Sequence, residues 1–179
     1  MENLSFTRIL NEKDNNCPIK ERSGLDNIIN DLRNQYILLY GEEPVARNSI
    51  KELEQRLEIE LPNDFKEISS FYSGGLLGGI SHNAIASNGP ATNMFDETSK
   101  LRLSEGLPLN LVVIATPPIS LIVMDCSATN DIGSDTIIWC DSHDAVHLQT
   151  GKFISQPQTW PKYTDFFRYL IDQEHQERS

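Results

Sequence analysis

Between Leu103 and Gly151 the chain has no lysine and no arginine, yet Glu105, Asp125, Asp131, Asp135, Asp141 and Asp144 all fall there. The whole chain carries a net charge of -11. Nucleic-acid binding needs clustered cations to hold phosphate, and no such cluster is present, so that class is set aside and a charged partner is expected to be basic. A solvated acidic surface kept for solubility is the plain alternative. Cysteine is scarce too. Cys17, Cys126 and Cys140 make an odd set with no close pair, which speaks against a disulfide framework or a zinc site and for reduced, structural thiols. Long apolar runs are missing. The stretch LIVM, Leu121 to Met124, falls far short of the ~20 residues that cross a bilayer. The start, MENLSFTRILNEKDNN, lacks the basic end and apolar core of a secretory signal, so a cytoplasmic location is expected.

Signatures of chemistry are also lacking. GGLLGG at Gly74 to Gly79 has no following Lys and Ser or Thr, so it reads as a turn and not a phosphate loop. No G-x-S-x-G elbow occurs. The nearest approach to a metal site is DSHDAVH, in which Asp141, His143 and His147 would alternate onto one strand face. Next-but-one residues on a strand lie about 7 Å apart, too far for adjacent ligands without a bend. The expectation is therefore no metal, no cofactor and no enzymatic activity, with His82 a loop histidine. Trp139 and Trp160 read as core or edge aromatics, with a partner hot spot as the sharper alternative.

What is there suits one domain: 179 residues at 39% hydrophobic content can bury a single core. Residues 1–23 form a polar leader too poor in apolar residues to pack, and 24–179 form the domain. Leu25, Ile28, Ile29, Leu32, Tyr36 and Leu39 recur at helical spacing up to Gly41. Ser49 and Glu52 form a capping-box pattern ahead of a stripe of Ile50, Leu53 and Leu57. Pro62 restarts the chain, Asp64 sits where a helix dipole favours a carboxylate, and Phe65, Ile68, Phe71 and Tyr72 face inward before Gly74 and Gly75. ATNMFDETSKLRLSEG suggests one more, irregular helix. LVVIA, ISLIVMD, TIIWCD and AVHL read as consecutive antiparallel strands. TWPKYTDFFRYLIDQ closes the chain as a helix with Pro161 in its first turn and Tyr163, Phe166, Phe167 and Leu170 buried. The class is α+β: an antiparallel sheet flanked by N-terminal helices and a C-terminal helix.

The run Ile50, Leu53, Glu54, Leu61, Pro62, Asp64, Phe65, Gly74 and Gly75, with LPLNLVVIA and Trp160 further on, resembles the SUKH superfamily, the Smi and Knr type of immunity and scaffold proteins. The resemblance covers about Leu25 to Ile171. Thr116, Pro117 and Pro118 depart from it, standing where the family has a glycine and polar turn, so nothing is carried over at that turn. The resemblance implies an immunity protein that binds a cognate bacterial polymorphic toxin, contact-dependent or secreted, and blocks it sterically without chemistry of its own. A nuclease is one candidate toxin. The alternative is an intracellular regulatory or scaffold module of the same fold. Asp131, Asp135, Asp141 and Asp144 are the partner-binding candidates, aimed at a basic toxin, with neither nucleic acid nor membrane as partner and the oligomeric state open.

Overall fold

The computed structural model describes residues 19–89, 91–127, 136–148 and 150–179. Most of the leader, 1–18, lies outside them. The order is α1 (Ile19–Tyr40), α2 (Arg47–Leu57), α3 (Asn63–Ile68), β1 (Gly75–Leu77), β2 (Ile80–His82), α4 (Met94–Ser104), β3 (Leu111–Ala115), β4 (Ser120–Asp125), β5 (Ile137–Asp141), a 3-10 helix (Ser142–His147), β6 (Gln158–Trp160) and α5 (Tyr163–Glu177). Among the described residues no helix is long and apolar enough to cross a membrane.

Helix α1 takes in the last five residues of the stretch read as leader and ends where expected: Gly41, at φ +86°, donates its N–H to the carbonyl of Ile37 at 2.9 Å. Ile29, Leu32 and Tyr36 are buried while Ile28 is exposed, because neighbours on a helix point about 100° apart and cannot both face the core. The capping box is not formed. Helix α2 starts earlier, with Ala46 as its N-cap and no side-chain cap bond, and the Ser49 N–H bonds inward to the carbonyl of Ala46 at 2.8 Å. The lead-in chain decides this start. Glu43 and Val45 donate their N–H groups to the carbonyls of Phe71 and Ser69, pinning the linker to the end of α3 four residues before Ser49.

The glycine-rich stretch is more than a turn. Gly78 and Gly79, at φ +57° and +73°, link β1 and β2 as a two-residue hairpin with Leu77 opposite Ile80, a backbone shape that favours glycine. The strands LVVIA, ISLIVMD and TIIWCD form as expected, within a residue at their ends. AVHL does not: residues 142–147 are a 3-10 helix. The Asp141 carboxylate caps it by accepting the His143 N–H at 2.9 Å, and Asp144 inside it accepts from Ile154 at 2.8 Å and Ser155 at 3.3 Å. The fourth strand position beside β5 goes instead to β6. That strand is only Gln158–Trp160, flanked by Pro157 and Pro161, and prolines so close mark a short, protected sheet edge. Helix α5 starts at Tyr163 with Lys162 as its N-cap, so Pro161 precedes the first turn.

The six strands pair antiparallel in chain order, β1 to β6. Strand β3 is buried along its whole length and β4 in all but its end residues, because both faces of the sheet are covered. Val112, Ile114, Ile122, Met124 and Ile137 join the helical core with Leu32, Phe65, Phe71, Phe166 and Phe167. Leu111, Val113, Leu121, Val123 and Cys140 meet Leu107 and Ala145 on the other side. Helix α4 seals β3 where β2 is too short to pair: the Thr98 Oγ1 accepts the Val113 N–H at 2.9 Å, satisfying a donor beside the bulge between Val113 and Ala115 that would otherwise be buried without a partner.

Candidate functional site

The β4–β5–β6 end of the sheet carries Asp141, the one acidic candidate among the described residues that reaches a groove. Cross-strand neighbours share a face, and the pairs Ser120 with Asp141, Ile122 with Trp139, and Trp139 with Gln158 place Ser120, Asp141, Trp139 and Gln158 on the face that bears α5. Trp139 stacks on Trp160 with ring centres 6.5 Å apart, and Trp160 leans on Phe166 at 4.9 Å and Tyr169 at 5.3 Å. The helical layer stops there. Beyond Trp139 the face opens into a shallow groove of about 400 Å³ between the β3–β4 turn and the chain leading into β6, lined by Pro118, Ile119, Ser120, Trp139, Asp141 and Gln158 among others.

The wall of this groove is the turn at which the sequence departs from the family pattern it resembles. Ser120 donates its N–H to the carbonyl of Pro117 at 3.1 Å, which makes Pro118 and Ile119 the central residues of a tight turn. Ile119 sits at φ +60°, a left-handed conformation costing a β-branched residue roughly 1–2 kcal/mol. Pro118 fixes the preceding φ, and the Ser142 N–H holds the carbonyl of Ile119 at 3.1 Å. The side chain is 79% exposed, so packing does not repay the strain. Replacing Ile119 by Gly is therefore expected to raise stability by about 1 kcal/mol, read as a higher urea midpoint. A lower midpoint would show that the isoleucine side chain supports the fold.

Asp141 is held by its own turn. Its Oδ1 accepts both the backbone N–H and the ring Nδ1 of His143, each at 2.9 Å, and these bonds hold its carboxyl below the usual carboxylate range. Its Oδ2 accepts no hydrogen bond among the described residues. Asp144 needs a correction: expected on an exposed acidic surface, it is fully buried, and its carboxylate satisfies the Ile154 and Ser155 N–H groups instead of facing a partner. Asp131 and Asp135 lie outside the described residues, in the chain between β4 and β5. Asp125 ends β4 opposite the start of β5, whereas Asp141 pairs with Ser120 at the other end of that ladder. Asp125, Asp141 and Asp144 thus do not form one exposed acidic cluster. Sequence reasoning missed Ile119, Gln156 and Gln158; the only signal for them was the Pro117–Pro118 pair, which announces a stiff turn without saying what stands beside it.

The residues imagined as catalytic or metal-binding are placed otherwise. His143 and His147 sit on the 3-10 helix, not on a strand face, and among the described residues no group of three His, Cys, Asp or Glu side chains is arranged to hold a metal. Burial pushes the Cys126 thiol up to about 12 and the Cys140 thiol up to about 11, which keeps both protonated and poorly nucleophilic. Cys17 lies outside the described residues. His82 is buried on β2 between the edges of Tyr72 and Phe166.

Comparison with curated proteins finds no match. Among family models, the SUKH model described as SMI1-KNR4 cell-wall matches residues 25–154, from the first buried turns of α1 through the sheet to the 3-10 helix and its following loop, stopping ahead of β6 and α5. That span takes in the L-P-x-D-F motif, the glycine hairpin and the Pro117–Ile119 turn, and on it the chain belongs to the SMI1-KNR4 family of the SUKH superfamily.

Proposed function

We propose that this protein is an immunity protein, which binds a cognate toxin and neutralises it by covering its working surface. Membership of the SMI1-KNR4 family, in which toxin immunity is a known role and enzymatic activity is not the rule, is the observation that carries the reading. The charge agrees with it. A toxin that attacks nucleic acid must be basic to hold phosphate, and a chain with a net charge of -11 approaches such a partner faster than a neutral one would. The thiols pushed upward by burial fit a protein that works by contact. The test is co-expression, in a sensitive cell, with a toxin encoded beside this protein's gene, where an immunity protein's partner is expected. Growth should be restored, and the two proteins should elute as one complex. Growth arrest that continues despite abundant folded protein would overturn the reading and favour a regulatory or scaffold role.

A further inference from the structure

The groove beside the Pro117–Ser120 turn combines a carboxylate oxygen that accepts no hydrogen bond among the described residues, a tryptophan in its lining and an exposed isoleucine held in a strained conformation. We propose that it is a docking seat for a basic segment of a protein partner, in which an arginine or lysine side chain lies over Trp139 against Asp141 while an apolar neighbour covers Ile119. The proposal rests on the partner-binding reading above and names the chemistry of what is bound.

Charge complementarity chooses the occupant. None of the groove's lining residues is a cation, and the whole segment from Leu103 to Gly151, which supplies most of the lining, has neither Lys nor Arg. Tryptophan offers the most favourable ring face to a cation. The side-chain oxygens of Ser120, Gln156 and Gln158 are acceptors for the donors that a guanidinium presents in a fan. An anionic ligand would meet Asp141 with no Lys or Arg among the lining residues to offset it. The strain points the same way. A β-branched residue at φ +60° with a 79% exposed side chain is costly in the free protein, and such strain collects where a contact with something else makes use of it. Capping of the 3-10 helix by Asp141 keeps the carboxylate in place, and an asparagine there can still accept the His143 N–H, so charge can be removed without undoing the turn.

The experiment uses the full-length, isotope-labelled protein and two short peptides, one with a single arginine between leucines and one with glutamine in place of that arginine. The arginine peptide should move the resonances of the Trp139 indole N–H and of Asp141 and Gln158, and the glutamine peptide should leave them still. Asp141→Asn should weaken the arginine peptide about fivefold at low salt, the worth of one exposed cation contact. Ile119→Gly should weaken it as well while the melting temperature stays or rises, which separates a binding role from a structural one. Equal binding of the two peptides, or shifts mapping elsewhere on the molecule, would overturn the proposal. So would self-association that either substitution abolishes, since the seat would then belong to a second copy. The peptides involve no toxin, so a failure here is distinct from a failure of growth protection, which bears on the immunity reading alone.

Discussion

Replacing Asp64 by Ala should cost roughly 3 kcal/mol of folding stability, or a fall in melting temperature of about 10 °C for a chain of this size. Asp64 lies in the first turn of α3, but its carboxylate looks outward from that helix. Its Oδ2 accepts both the backbone N–H and the hydroxyl of Thr164, each at 2.9 Å, and its Oδ1 accepts the N–H of Phe65 at 3.0 Å. Helix α5 receives no side-chain cap from its own N-cap residue, Lys162. Asp64 is that cap, supplied from a hundred residues away. Removing it takes the partner from three donors, two on Thr164 and one on Phe65, both of which are buried, and an orphaned buried donor loses more than the bond was worth. Asp64→Asn should recover part of the loss through its amide oxygen. In a double-mutant cycle with Thr164→Val, the hydroxyl should account for a coupling of about 1 kcal/mol, with the backbone bond making up the rest. A loss below about 1 kcal/mol for Asp64→Ala would show that water reaches the helix end and takes over.

Acid should weaken this protein through His82 before most of its carboxylates protonate. The ring lies edge-on to Tyr72 and Phe166, 6.0 Å and 6.1 Å away. Its Nδ1 is 3.2 Å from the carbonyl of Gly75, which can only accept, so Nδ1 carries the proton. Nε2 is buried without a partner among the described residues. Burial pushes the imidazole down from 6.5 to about 4. The unfolded chain therefore takes up a proton near pH 6.5 while the folded one waits until about pH 4. Stability is at its full value above the upper limit and is lost as the pH falls between the two. Each pH unit in that window costs about 1.4 kcal/mol, which amounts to roughly 3 kcal/mol across it. Urea unfolding at neutral pH and near pH 4.5, for wild type and His82→Leu, isolates the effect from the carboxylates. The advantage of wild type over the variant should shrink by roughly 2–3 kcal/mol on acidification. An advantage that holds constant would mean that solvent reaches the ring and that it titrates normally.

Local pattern carried much of the fold. The spacing of Leu32 and Tyr36, of Leu53 and Leu57, and of Phe166, Phe167 and Leu170 needs only the period of a helix that must bury one face. The apolar runs of β3 and β4 read as strands for a different reason: a strand covered on both faces is apolar at nearly every position. The motif from Ile50 to Gly75 was enough to place the chain in its family. Where the sequence misled, a contact distant in the chain had overruled a local preference. Ser49 has the composition of an N-cap, but the linker bonds to Ser69 and Phe71 start the helix before it. AVHL has the composition of a strand, but Asp144 is needed by Ile154 and Ser155, and the chain coils to deliver it. Composition placed Asp141 and Asp144 together as acidic candidates; burial separates them, one opening onto a groove and the other satisfying backbone donors. The cap that Asp64 gives to α5 had no sequence signal at all, and for the strained exposure of Ile119 the prolines before it announced only a stiff turn, because a hydrogen bond across a hundred residues and a carbonyl held by Ser142 exist only once the sheet and its helices have closed around them.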